Sequence, residues 1–458
     1  MSSSQSIAIG DSKCATPSSG SALTKLVVVG GVIAALVAAT PFIFRAGGDN
    51  AYIAIAVMTA ILTCAAAVLA GRAKGRLVLI FILALAIAFR GYALFFEPLL
   101  SSDIYRYIWD GIVQAHGINP YRFVPADPAL AHLRDATIYP NINRADYAPT
   151  IYPPVAQFFF LLVTRFGTST VVMRIALLGC EAVSGLLMLS LLRRMQQPLT
   201  LIVAYAWHPL PIWEIANGGH VDALMVALML LGIWLAVLGR VQYGALVIAL
   251  ASLVKPFAAL ALASIWRPWD WKMPLAVIAA VVACYLPYVS LGWGVLGFLP
   301  SGYLSEEGLL SGEGFWLLSL WRLAFGEMRY DVACYAVLAA ALLLILAFRV
   351  AFRRERTVGT ILADVNMLLL AVLLLLSPSY PWYFLIVAPF VALLANAPAS
   401  APTWAASIGA LLLTNETESL NNIPWLLARS LLFGSVLICW ALSVWAGRAK
   451  RASTEQVA

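Results

Sequence analysis

Along the chain, long apolar runs alternate with short basic turns and a few longer polar loops. Runs near the roughly 20 residues that a bilayer requires recur over most of its length. Hydrocarbon offers the backbone no partner, so such runs must be helices, and the two-residue alternation of a barrel strand is absent. The first run, Leu26 to Phe44, exceeds a signal-peptide core and lacks a small-residue cleavage site, so it is expected to be the first span. The basic turns are Gly71 to Arg76, Arg193 with Arg194, Arg240, Arg349 to Arg356, and "GRAKR" near the C-terminus. Cytoplasmic loops carry an excess of Lys and Arg, so these turns are expected inside and the polar loops outside. The outer loops are then Glu97 to Thr150, Trp207 to Asp222, Gly292 to Tyr330, Ser377 to Phe384 and Thr414 to Trp425.

Two apolar segments do not fit simple crossing. "PPVAQFFFLLVTRF", Pro153 to Phe166, has 14 residues and at about 1.5 Å each is too short to span. It is expected to lie at or dip into the outer interface. Tyr243 to Lys272 has basic residues at both ends, so one crossing would break the charge pattern. A hairpin of two half-helices broken at Lys255-Pro256 restores it, because proline removes an amide donor and disfavours helix in the residue before it. With both segments non-crossing, the expected fold is an all-α polytopic membrane protein of about twelve transmembrane helices with both termini inside. Residues 1–21 are expected to be a disordered cytoplasmic tail, 22–446 one transmembrane domain including the external loops 97–150 and 292–330, and 447–458 a second cytoplasmic tail.

Composition narrows the class further. The 458 residues are 62% hydrophobic and only 11% charged, outside the range of ordinary soluble domains. The formal charge of +7 is concentrated in the basic turns, which is a topology signal and excludes a nucleic-acid footprint. The six cysteines are scattered without metal or redox spacing and are expected to act as small core hydrophobes. "NET" at Asn415 matches a glycosylation acceptor on the expected outer side, a frequent pattern with little specificity.

Chemistry concentrates at the outer ends of the spans. In "SSDIYRYIWDG", a helix would put Asp103, Arg106, Tyr107 and Asp110 on one face. Its two carboxylates would be about 10.5 Å apart along the axis, too far to act on one atom, so one would react and the other position something. The plainer alternative is an interfacial amphipathic helix. The rest of that loop is rich in Asn, Pro and Tyr, and long loops in compact proteins are usually functional. "WEIANGGHVDALM" sets Glu214, His220 and Asp222 at a helix start, where free amides suit a phosphate. A metal at His220 and Asp222, or simple capping, are the alternatives. Lys255 lies in an apolar stretch, where an ionisable group suggests function: it suits a phosphate or one of the acids, with snorkelling as the plain alternative. Tyr380, Trp382 and Tyr383 either belong to an aromatic belt or stack on a sugar or lipid headgroup.

In order over about 280 residues, "SSDIYRYIWDGIVQAHGINPYRFVP", "IYPPVAQFFF", "GGHVDALMVALMLL", "LVKPF" and "SPSYPWYF" make the chain resemble the GT-C superfamily of integral-membrane glycosyltransferases. The likeness is to bacterial polyprenol-phosphomannose-dependent mannosyltransferases. Relatives often read Ser-Asp-Asp at the start, whereas here Ser102 holds the first acidic position, so Asp103 is the catalytic candidate with Asp110 next in line. The resemblance implies an inverting transferase that moves a sugar, in the first instance mannose, from a polyprenyl-phosphate donor to a hydroxyl of a glycan or glycolipid acceptor. It implies a multi-pass protein of the inner (plasma) membrane with its site facing the periplasm or exterior, and no cofactor or nucleic-acid partner. In this scheme Asp103 takes the acceptor's proton; Arg106, His220 and Lys255 hold the donor phosphate; and Tyr107, Tyr152, Glu214, Asp222, Tyr380, Trp382 and Tyr383 contact substrate. The alternatives are a transporter or flippase of lipid-linked sugars, and the same enzyme type using glucose, arabinose or aminoarabinose.

Overall fold

The computed structural model describes residues 19–73, 75–397, 400–414 and 425–455. The tail up to residue 18, the Asn415 triplet with most of its loop, and the last three residues lie outside these. Among the described residues every regular element is a helix. Seven are long and apolar enough to cross a membrane: Ala22–Arg72, Arg76–Leu94, Thr170–Arg194, Lys272–Leu296, Asp331–Ala351, Val358–Leu376 and Trp425–Ala446. Pro209–Asn217 and Asp222–Val237, bent by 117° at their junction, make an eighth if taken as one span. The protein is therefore all-α and polytopic.

Two local features explain how apolar runs become spans of different kinds. Ala22–Arg72, at about 1.5 Å per residue, has length for two passes and is interrupted at Gly48, whose φ of 63° and ψ of −154° leave the helical region. The remaining apolar stretches are shorter helices, Pro154–Thr164, Val241–Ser252, Pro256–Ile265 and Trp316–Phe325, none long enough to cross alone. Lys272–Leu296 and Asp331–Ala351 turn most of their surface outward, with Leu275, Ile278, Leu338 and Phe348 exposed. That is the expected face where the solvent is lipid. The cysteines follow the same logic: the five described are free, and all are half-buried or exposed on helices instead of in the core.

The core lies where the sequence suggested an outer loop. Every residue from 200 to 223 is buried, so the stretch Trp207 to Asp222 is internal. Part of its polarity finds partners inside, whereas both Glu214 carboxylate oxygens and both His220 ring nitrogens make no hydrogen bond among the described residues. Trp207 Nε1 donates to the Ile82 carbonyl at 3.0 Å, and the Leu210 amide donates to His208 Nδ1 at 3.2 Å. Asn217 Nδ2 donates to the Glu97 carbonyl at 3.0 Å while its oxygen accepts from the Leu99 amide at 2.8 Å. Asn217 thus fastens the broken span to the start of the loop 97–150. Gly219 makes the break itself: its φ is 70°, and a Cβ there would sit 2.5 Å from Ile104 Cδ1.

The segment from Val241 to Ile265 folds as a hairpin of two short helices, with Lys255 in extended conformation at the turn. Its base closes on itself, since Val241 and Ile265 line one small cavity and Gln242 Nε2 donates to Asp270 Oδ2 at 3.1 Å. Its first arm lies tightly against Asp222–Val237 through Gly232 and Gly244. A Cβ on Gly244 would stand 2.5 Å from the Gly232 carbonyl oxygen, the close backbone approach that small residues allow between membrane helices. A buried ion pair, Arg90 to Glu181 at 2.7 Å, joins two further spans.

The loop 97–150 carries the helix Asp103–Ala115 and short 3₁₀ turns at Pro128–Leu133 and Tyr139–Asn141. It rests on Pro154–Thr164, where a Cβ on Gly111 would meet Thr164 at 2.5 Å, and it joins the second loop through Phe298 N to the Thr150 carbonyl at 3.2 Å. At the opposite end of Thr170–Arg194, Arg194 and Arg356 line one cavity, and Arg356 and Arg267 another. Basic turns distant in sequence therefore gather at one end of the bundle.

The Gly232–Gly244 seam yields a prediction. Gly244→Ala forces the two backbones apart and is expected to cost about 1–3 kcal/mol, read as a lowered thermal midpoint of the detergent-solubilised protein, whereas alanine at the exposed neighbour Tyr243 should leave it within about 0.5 kcal/mol.

Candidate active site

A cavity of about 70 Å³ opens where the loop 97–150, the hairpin tip and the loop 292–330 meet. Asp103, Arg106, Tyr152, Lys255, Tyr380, Trp382 and Tyr383 line it, joined by Asn143, Arg144 and Tyr303. Among these lining residues Asp103 is the single acid, and it faces three cations.

Asp103 opens its helix, so its carboxylate sits at the end where amides are free. Asn143 Nδ2 donates to its Oδ1 at 2.7 Å and the Tyr152 hydroxyl to its Oδ2 at 3.3 Å. Burial first, and then the charge of Asp103, hold the Tyr152 phenol well above its ordinary range, so it stays a donor. Both partners are neutral, which leaves the carboxylate oriented without an ion pair. Ser102 does not line the cavity.

Each cation is tethered by a carboxylate on its far side. Arg106 Nε meets Asp110 at 2.9 Å, Arg144 Nε meets Glu306 at 2.6 Å, and Lys255 Nζ meets Asp222 at 2.6 Å. Burial alone would lower the Arg144 pKa, but Glu306 outweighs it and holds the guanidinium above its ordinary value. Lys255 also lies 4.5 Å over the Tyr383 ring, so the ammonium is held by a charge and an aromatic face together.

The sequence candidates divide into two groups. Seven of them line the cavity, as given above. The other five stand behind it. Asp110 is buried, with Arg106 on one oxygen and Gln157 Nε2 on the other at 3.0 Å, so its carboxylate is already occupied. Tyr107 stacks on Phe160 at 4.7 Å. Asp222 reaches the cavity only through Lys255. His220, expected at a phosphate, is fully buried and stacked on Trp382 at 4.2 Å, with the indole in front of it. Glu214 lies behind, its oxygen 3.2 Å from His220 Nε2 but not aligned as a hydrogen bond. The helix start at Asp222 thus faces the Lys255 ammonium, not an open anion site.

Asn143, Arg144, Tyr303 and Phe298 were not singled out beforehand. Their loops were, but no periodicity marks single residues there. The Tyr303 and Tyr383 hydroxyls, both in the cavity wall, are hydrogen-bonded to each other and join the loop 292–330 to the "SPSYPWYF" motif.

Residues 57–269 match the family described as "Alpha-(1->6)-mannopyranosyltransferase, N-terminal domain". They include Asp103, Arg144 and Lys255, but not Tyr303 or the aromatic wall from Tyr380 to Tyr383. The chain is also similar to alpha-(1->6)-mannopyranosyltransferase A of Mycobacterium tuberculosis (strain ATCC 25618 / H37Rv), at 27% identity over 338 residues, 63% of this chain and 60% of that protein. The chain thus spans about 60% of the curated relative it matches. No solved structure matches. The two matches support the family resemblance carried by the ordered motifs.

Asp110 is expected to act through structure. Asp110→Asn leaves the buried Arg106 guanidinium uncompensated and should cost about 3–5 kcal/mol, seen as a drop in the thermal midpoint. An unchanged midpoint with turnover abolished would instead put Asp110 in the chemistry.

Proposed function

We propose that this protein is an inverting glycosyltransferase that moves mannose from a polyprenyl-phosphate donor to an acceptor hydroxyl at the outer face of the membrane. The observation that carries this reading is the charge layout of the cavity: one unpaired carboxylate opposite three tethered cations. That layout suits a phosphate leaving group and a single general base.

In the proposed reaction the acceptor oxygen attacks the anomeric carbon as its proton passes to Asp103. The bond between that carbon and the phosphate oxygen breaks, and polyprenyl phosphate departs toward Lys255, Arg144 and Arg106. A positioned base contributes typically about 10²- to 10⁴-fold, and preorganised cations at the developing charge act without reorganising at the moment of reaction. Because Asp222, Glu306 and Asp110 hold the cations from behind, their geometry does not depend on the donor. The relative's name specifies an α-(1→6) product; if this chain forms the same linkage by inversion, its donor carries mannose in β-linkage to phosphate. Tyr380 and Trp382, stacked at 4.4 Å, offer the sugar ring an aromatic face.

Purified protein given labelled polyprenyl-phosphate-mannose and an α-mannoside acceptor is expected to form a labelled glycoside, and Asp103→Asn to lower turnover by about 10²- to 10⁴-fold. Near-normal turnover in that variant would put the base elsewhere. Measured translocation of the lipid-linked sugar in proteoliposomes with no new glycosidic bond would favour a flippase.

The outward orientation has its own check. Cysteine introduced at Asp135, on the external loop, should react with a membrane-impermeant maleimide in intact cells, and cysteine at Arg354 should react only after lysis. The reverse pattern would invert the topology.

A further inference from the structure

A second cavity, of about 550 Å³, adjoins the first, with Tyr380 in the wall of both. Glu306, Glu307, Glu313, Trp425 and Arg429 complete the walls used here. Arg429 is 1% exposed, yet among the described residues its Nε and Nη1 have no hydrogen-bond partner; only Nη2 is engaged, donating to Ser379 Oγ at 2.7 Å. Its guanidinium lies 3.6 Å from the centre of the Trp425 ring. A buried guanidinium with idle donors is costly unless something completes it. Glu307 is held by Ser379 at 3.0 Å, and burial pushes its carboxyl above the usual carboxylate range.

With Glu306 committed to Arg144, Glu307 and Glu313 face the single cation Arg429, so this space carries no excess positive charge to draw in an anion. Carboxylate acceptors, guanidinium donors and the aromatic faces of Trp425 and Tyr380 together match a neutral ligand bearing many hydroxyls and an apolar ring face. The volume falls in the range of small-molecule sites and exceeds that of the first cavity, which holds only a few waters as it stands. We infer that this second cavity is the acceptor subsite and takes a neutral oligosaccharide, which extends past Tyr380 to present its terminal hydroxyl to Asp103. The inference rests on the transferase reading for its direction, but the binding it asserts does not need a donor.

The test is a saturation-transfer NMR titration of the full-length protein in nanodiscs with α-(1→6)-linked mannotriose, without donor. Arg429→Met and Trp425→Ala are expected to weaken binding at least tenfold, and Glu313→Ala, at the exposed rim, about threefold to fivefold. Arg194→Met, at the other end of the bundle, is the control and should bind as the unaltered protein does. If Arg429→Met does not fold, Glu313→Ala reads the same contact without disturbing buried structure. No binding by the unaltered protein, equal binding by all three variants, or displacement of mannotriose by inorganic phosphate would overturn the subsite. Arg429-dependent binding without any transfer from polyprenyl-phosphate-mannose would leave the subsite standing and count against the transferase reading.

Discussion

Lys255 and Asp222 meet at 2.6 Å, and the layout of the cavity end of the molecule follows from bringing them together. Both charges lie at or near membrane depth, where neither is tolerable alone. To meet, one helix must begin at Asp222 after a sharp break and another must end before Lys255. Gly219 supplies the break, and Pro256 stops the helix before it. The Gly232–Gly244 seam then holds the two helices close enough for the pair to form.

The same logic governs the rest of the cavity. Arg106 and Arg144, like Lys255, point a cation inward while a carboxylate holds it from outside. Asp103 alone is held by neutral donors, from Asn143 and Tyr152. A phosphate entering such a site meets positive charge already in position, and the carboxylate opposite is not neutralised by any of the three cations. Behind this wall lie the buried Glu214 and His220, with His220 stacked on the cavity-lining Trp382.

Much of this was legible in the sequence, and the reasons differ by element. The Lys255-Pro256 break was readable because proline acts on local backbone geometry. The face shared by Asp103, Arg106 and Asp110 followed from helical spacing, and the structure divides those residues by depth, with Asp103 at the cavity and Asp110 buried two turns on. The stretch Trp207 to Asp222 looked like an outer loop because of its polar residues; its burial and the tertiary partners of Trp207 and Asn217, the Ile82 and Glu97 carbonyls, are invisible to local pattern. The roles of His220 and Glu214 as a layer behind Trp382 were hidden for the same reason. Arg144 and Tyr303 could not be singled out, because their positions arise from contact between two loops about 160 residues apart, which no local pattern encodes. Length and composition identify seven or eight spans among the described residues, one of them, Ala22–Arg72, with length for two passes around Gly48.

The most direct measurement is a structure of the full-length protein with a non-hydrolysable polyprenyl-phosphate-mannose analogue. The expected result has the phosphate within hydrogen-bond distance of Lys255 and Arg144, with the anomeric carbon facing the Asp103 carboxylate across the cavity. A phosphate held at the opposite end of the bundle, against Arg194 and Arg356, would contradict it.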